Sequence, residues 1–164
     1  MNELERFIDI WENETRKTLA LFDALPRDRY DFRPDPDGRS LGEMAWHIAE
    51  GEAFGPFAIE RGSFSRDARP EGLERPRTTP ELRLAFERVH RDALARVRKM
   101  KEADLDRSIP FFTGEPIVVR NILWDFMLLH GIHHRGQLAL LARQAGGQNT
   151  PLFGPTREMY PLKK

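Results

Sequence analysis

The chain has 164 residues, enough for a single domain with its own core, and it carries as many acidic residues as basic ones, 26 of each. This balance argues against a nucleic-acid partner, which normally selects a basic excess. Cysteine is absent, which excludes disulfides, thiolate metal ligands and a thiol nucleophile from the protein itself.

Helical spacing of apolar residues predicts a first helix over about residues 2–25. The proline-rich stretch 25–39 ends it. A second helix is predicted to begin after Ser40, because Ser40 and Glu43 form the capping-box pattern, and to run to about Glu60. Three residues inside it are expected to bend or shorten it: Gly51, Gly55 and Pro56.

A third helix is predicted to start at Thr79, which is followed by a proline at a first-turn position, and to continue to about Leu105. The fourth should run from residue 116 or 117 to Gln144 and stop before two consecutive glycines. The short apolar stretch 108–112 contains a proline, so no strand pair is predicted.

Four amphipathic helices of this length predict an all-α fold, a four-helix bundle with a long crossover connection. The 17-residue stretch 61–77 between the second and third helices is the candidate for that crossover. We expect one domain over residues 1–164. No run of about 18 apolar residues suggests a membrane span and the N-terminus does not resemble a signal peptide, so a cytoplasmic protein is expected.

The segment HGIHHRGQL contains the main candidate site. At about 100° per residue, His130 and His134 fall on one helix face within the apolar stripe, one turn apart, as two metal ligands from one helix must be. His133 falls toward the edge of that stripe, where it is expected to contact a ligand or face solvent. The pattern therefore favours His130 and His134 as partners.

His47 on the second helix is the candidate third member of the site, because its face carries small or apolar neighbours. A metal ion would satisfy three imidazoles together, but a core histidine hydrogen-bonded to a carbonyl or carboxylate is the alternative. Spacing by itself does not decide between a metal site and hydrogen-bonded core histidines.

The remaining polar residues receive more ordinary predictions. Glu43 and Glu50 are expected to be a helix cap and a solvated charge, with a catalytic base or a contact to a metal ligand as the alternative role. His90 is expected at the surface among charged neighbours. By helical angle, Arg135 should leave the core, whereas Gln137 should face it and orient His134 or a ligand.

Two motifs resemble a known family. WHIAEGE, followed about eighty residues later by HGIHHRGQLALLARQAGG and then PLFGPT, resembles the DinB/YfiT-like superfamily of metal-binding four-helix bundles. DFRPDPDGRSLGEMAWHIAE is similar to that family's connection into its second helix, so the resemblance spans about residues 30–155.

The resemblance implies that His47, His130 and His134 ligate a divalent metal, nickel or zinc, in a homodimeric protein whose helix order is not simply up and down. It also implies activation of a small-molecule thiol, by a transferase, or of water, by a hydrolase. A non-catalytic metal-binding or stress-response protein is the alternative, and a dimeric helical module with core histidines is a third. In an enzyme, loop arginines are candidates for binding an anionic substrate group: Arg33, Arg39, Arg61 and Arg66.

Overall fold

A computed structural model describes residues 1–148 and 150–159. The long helices are α1 (Glu3–Asp23), α2 (Leu41–Arg61) and α3 (Thr79–Val97). The fourth helix, residues 119–144, has three parts: α4 (Val119–Asn121), a π-helical segment (Ile122–Leu129) and α5 (His130–Gln144). The predicted all-α four-helix bundle is confirmed, and none of the described helices is long and apolar enough to cross a membrane.

The helix starts agree with the capping signals in the sequence. The Ser40 side chain accepts a hydrogen bond from Glu43 N, and the Glu43 carboxylate accepts one from Ser40 N. Asn2 and Glu5 form the same reciprocal box at the start of α1. The internal Pro56 does not shorten α2, which continues to Arg61. The third helix, however, ends at Val97, and a separate 3₁₀ turn, Glu102–Asp106, follows it.

The crossovers lie in different connections from the one expected. Helix α2 packs against both α3 and α5, and α1 packs mainly against α3. Consecutive helices α1 and α2 are therefore diagonal in the bundle, as are α3 and α5. The long connection 62–78 joins neighbours, whereas segments 24–40 and 98–118 make the crossings.

Segment 98–118 contains a strand pair, against the prediction from its sequence. The strands β1 (Ser108–Pro110) and β2 (Pro116–Val118) pair antiparallel, with Ile109 opposite Ile117. The two prolines face each other at the end of this three-residue ladder, where a missing N–H costs little. The prediction of no strand pair was wrong because a short edge hairpin tolerates proline.

Arg135 corrects the predicted helix phase. It was expected to leave the core, yet it is 1% exposed, and its guanidinium forms an ion pair with the carboxylate of Glu14 on α1 and donates to the Glu14 carbonyl at 2.8 Å. The π-helical segment explains the error. Each π-type hydrogen bond encloses an extra residue, so the chain rotates less per residue over 122–129 than an α-helix does.

This reduced rotation places the fully buried face of α5 on Arg135, Leu138 and Ala142. Two apolar clusters fill the bundle, one including Trp46 and Phe86 and the other including Trp11 and Leu123. His130 and His134 lie at the edge of the buried face, only partly covered, which leaves the site open to a ligand.

Candidate metal centre

Three imidazoles meet between α2 and α5. The ring of His47 lies 5.2 Å from that of His130 and 4.5 Å from that of His134, centroid to centroid. His130 Nε2 and His134 Nε2 are 2.9 Å apart. Two nitrogens about 2.1 Å from one ion and at roughly a right angle would be about 3 Å apart. One ligand nitrogen from each of the three rings lies within 4.8 Å of the others, so the trio has the geometry of a metal site.

Gly51 lies beside His130 where α5 packs against α2. A Cβ atom added at Gly51 would lie 3.4 Å from His130 Nδ1, in ordinary van der Waals contact. A side chain longer than that of alanine at Gly51, one turn after His47, would project toward the imidazole.

Polar neighbours lie beside two of the three rings. Gln137 Oε1 lies 2.6 Å from His134 Nδ1, so an Nδ1–H there donates to it and leaves Nε2 free to ligate. The Glu50 carboxylate lies 3.6 Å from His47 Nδ1. The predicted contact of Gln137 with His134 is therefore present, although Gln137 itself is exposed and does not face the core.

Burial keeps the two α5 imidazoles neutral at physiological pH. Desolvation, followed by the nearby charges of His134 and His47, lowers the pKa of His130 to about 4. Desolvation also lowers the pKa of His134, against the opposing effect of the hydrogen bond that its Nδ1–H donates to Gln137 Oε1. Neutral imidazole is the form that ligates a metal.

The residues present fit a cation. His130 Nδ1 is buried without a hydrogen-bond partner among the described residues, and the Nε2 atoms of His130 and His134 point at one another. Imidazole nitrogens are the preferred donors for zinc and nickel. The donor set is therefore that of a divalent transition-metal site.

An aromatic wall adjoins His130. The Phe126 ring stacks on the His130 ring at 5.9 Å with an interplanar angle of 8°. Phe64 contacts Phe126 at 5.2 Å and two further rings from the hairpin, Phe111 and Phe112, at 4.9 Å each. Segment 98–118 thus supplies apolar surface beside the histidines.

The other predicted site residues lie around the trio in different ways. His133 is exposed, and its ring lies 5.0 Å from that of His134, in keeping with a place at the edge of the site. The Glu43 carboxylate caps α2 and pairs with Arg33 at 2.7 Å, so the capping role accounts for it.

The four loop arginines that the sequence suggested for anion binding have different surroundings in the structure. The charge of Arg39 contributes to lowering the pKa of both α5 histidines. Arg33 is engaged by Glu43, and the guanidinium of Arg61 lies 5.5 Å above the Phe57 ring. Arg66 is exposed.

The prediction that His90 lies at the surface was wrong. Its Nδ1 lies 2.8 Å from the Glu52 carboxylate and 3.2 Å from Thr15 Oγ1, and its side chain is 13% exposed. Trp11 meets the ring edge-on at 4.7 Å. A signal was present, because His90 follows the buried Phe86 by four residues, but the charged residues beside it in sequence obscured that face.

A profile of the DinB superfamily matches residues 10–138. The chain is 26% identical to the uncharacterized protein YrdA of Bacillus subtilis (strain 168) over 160 residues, which covers 96% of this chain and 92% of the relative.

Solved structures show the same fold. A DinB-like protein of B. subtilis, YjoA, superposes with a TM-score of 0.73 at 22% identity, covering 89% of this chain and 95% of that one. A DinB-like protein of Bacillus cereus ATCC 10987 gives 0.73 at 23% identity, with the same coverage of 89% and 95%. A DinB-family protein of Exiguobacterium sibiricum 255-15 gives 0.69 at 22% identity, covering 93% and 99%.

Proposed function

The chain belongs to the DinB superfamily, and from this premise we propose that His47, His130 and His134 hold one divalent metal ion that serves a reaction on a small molecule. The observation that carries the proposal is the convergence of three imidazoles from two helices, with ligand nitrogens within 4.8 Å of one another. The resemblance to the family implies zinc or nickel, imidazole donors suit both, and these are the two ions we propose.

The incomplete set of protein ligands favours a catalytic role for the metal over a structural one. Three protein ligands leave coordination positions for water or substrate, which is the arrangement of catalytic sites, whereas structural sites are closed by a fourth protein ligand. A divalent ion held there would supply Lewis acidity, which makes a thiol or a water nucleophilic near neutral pH. Because the chain has no cysteine, a thiol would come from the substrate side.

The protein's own residues would orient and shield the site. Gln137 holds the His134 ring through Nδ1, and Glu50, whose carboxylate lies 3.6 Å from His47 Nδ1, would orient that ring or accept a proton. Phe126 stacks on His130 and excludes water from one side. These contacts fix the imidazole planes, and fixed ligands retain a metal better than mobile ones.

The proposal includes both a thiol S-transferase and a hydrolase, acting in the cytoplasm and as a homodimer. The competing function is metal binding without catalysis, as in a stress-response protein. Cobalt-substituted protein tests the thiol route, because thiolate binding to cobalt adds a charge-transfer band to its spectrum.

We expect 2-mercaptoethanol to produce that band in wild type and in His133→Ala, and His134→Ala to lose it with the metal. A cobalt spectrum that thiol leaves unchanged would contradict the transferase. Hydrolysis of model esters or amides that survives complete removal of the metal by a chelator would contradict the metal-dependent hydrolase.

A further inference from the structure

A cleft of about 630 Å³ lies between α2 and the loop 69–77. Trp46 and Glu50 line it from the helix, and three arginines, Arg69, Arg75 and Arg77, line it from the loop. Glu50 is also the residue whose carboxylate lies 3.6 Å from His47 Nδ1. The cleft therefore adjoins the histidine cluster, and its volume is that of a small-molecule pocket.

The charges in the cleft are unevenly engaged. Arg75 pairs with Glu43 at 3.3 Å, and Glu50 faces His47. Within residues 1–148 and 150–159, Arg69, Arg77 and Glu74 form no ion pair, which leaves a net charge of +1 unengaged on the lining. Two guanidinium groups without carboxylate partners are suited to bind an oxyanion.

A further unpartnered donor belongs to a residue that lines the cleft. Trp46 is 1% exposed, and its indole Nε1 is buried without a hydrogen-bond partner in the described part of the chain. A buried N–H without an acceptor costs free energy, and native proteins rarely leave one so. A ligand oxygen in the cleft would satisfy it.

The loop that carries the arginines is held at two points. Leu73 is 8% exposed and belongs to the same apolar cluster as Trp46. The Tyr30 hydroxyl donates to the Pro76 carbonyl at 2.5 Å. Because the backbone is held at residues 73 and 76, the adjacent Arg77 loses less ordering entropy when a ligand binds.

We infer that this cleft binds the anionic oxygen group, a carboxylate or a phosphate, of the small molecule on which the histidine site acts. Arg69 and Arg77 supply the charge and Trp46 Nε1–H the third hydrogen bond. The inference rests on the proposed function for the other end of the ligand, which reaches the histidines. Anion binding itself requires no metal.

The test follows the three indole N–H resonances of ¹⁵N-labelled, metal-free protein during titration with succinate and, separately, with inorganic phosphate. Trp46→Phe assigns the resonance of interest, and Trp11 and Trp124 serve as internal controls. We expect the Trp46 resonance to shift saturably with at least one of the two anions, and the tighter one identifies the oxyanion.

Arg69→Gln and Arg77→Gln should each weaken anion binding about tenfold, the loss of one charge-assisted hydrogen bond. Arg29→Gln, an exposed arginine outside the lining, should leave it unchanged. A Trp46 resonance that neither anion moves, or equal weakening by all three variants, would overturn the inference while leaving metal binding intact. A protein that binds the anion but no metal would instead refute the proposed function.

Discussion

Replacing Arg135 with methionine should destabilise the protein strongly, because it leaves the buried carboxylate of Glu14 without its arginine partner. The Arg135 side chain is 2% exposed, and the Glu14 side chain it binds is 10% exposed. Removing one member of a buried ion pair costs about 3–5 kcal/mol, chiefly from desolvation of the charge that remains. Glu14 keeps a second partner, Lys17 Nζ at 2.5 Å, so we expect the lower end, about 3 kcal/mol.

Thermal and urea unfolding followed by circular dichroism measure this loss. For a chain of this size, about 3 kcal/mol lowers the melting temperature by roughly 6–12 °C. The matched control is Arg98→Met, which breaks a surface pair with Glu12 at 3.1 Å whose arginine side chain is 57% exposed. That control should lose less than about 1 kcal/mol.

A double variant distinguishes the loss of the whole ion pair from the cost of leaving one charge buried without its partner. Glu14→Met with Arg135→Met removes both charges, and an apolar pair of similar volume should restore stability to within about 1 kcal/mol of wild type. Equal losses from Arg135→Met and Arg98→Met, or a double variant less stable than Arg135→Met, would refute the reasoning.

The same pair predicts a pH dependence. Burial alone would raise the pKa of Glu14, but hydrogen bonds from Lys17 and Arg135 outweigh it and lower the pKa below its usual value. A lowered carboxyl pKa stabilises the fold above the unfolded-state value of about 4 and ceases to do so as the pH falls through the folded-state value. The difference in free energy of unfolding between wild type and Arg135→Met should therefore be largest near pH 7 and become smaller toward pH 3.

Two further substitutions test the packing around the site. A Cβ at Gly55 would lie 2.6 Å from the Met127 side chain, so Gly55→Ala should lower the free energy of unfolding by about 1–3 kcal/mol, while the matched Gly136→Ala, with open space at that position, should not. His90→Leu leaves the Glu52 carboxylate without its imidazole partner and should cost about 2–3 kcal/mol by urea unfolding, whereas a loss below about 0.5 kcal/mol would contradict the buried contact.

The parts of the fold that could be predicted depend on local signals. The capping box of Ser40 and Glu43 involves residues three apart, and the pairing of His130 with His134 requires only one helical turn. His47 could be nominated because its own helix face is apolar. Each of these inferences depends only on residues of a single helix and not on contacts with distant parts of the chain.

The parts that could not be predicted depend on contacts distant in sequence or on irregular backbone. The burial of Arg135 follows from the π-helical segment and from Glu14, 121 residues away. Glu52 and His90 are 38 residues apart, and no pattern within either helix alone predicts their contact. The cleft beside Trp46 exists because loop 69–77 folds back over α2, which no local pattern encodes.

The central claim is that His47, His130 and His134 hold one divalent ion together, and calorimetric titration of metal-free protein with zinc and nickel tests it most directly. Wild type and His133→Ala should each bind one equivalent, and elemental analysis after dialysis should confirm that ratio. His47→Ala, His130→Ala and His134→Ala should each weaken binding by about a hundredfold or more while retaining helical dichroism. Metal binding that survives in all three variants, or that is lost in His133→Ala instead, would contradict the account.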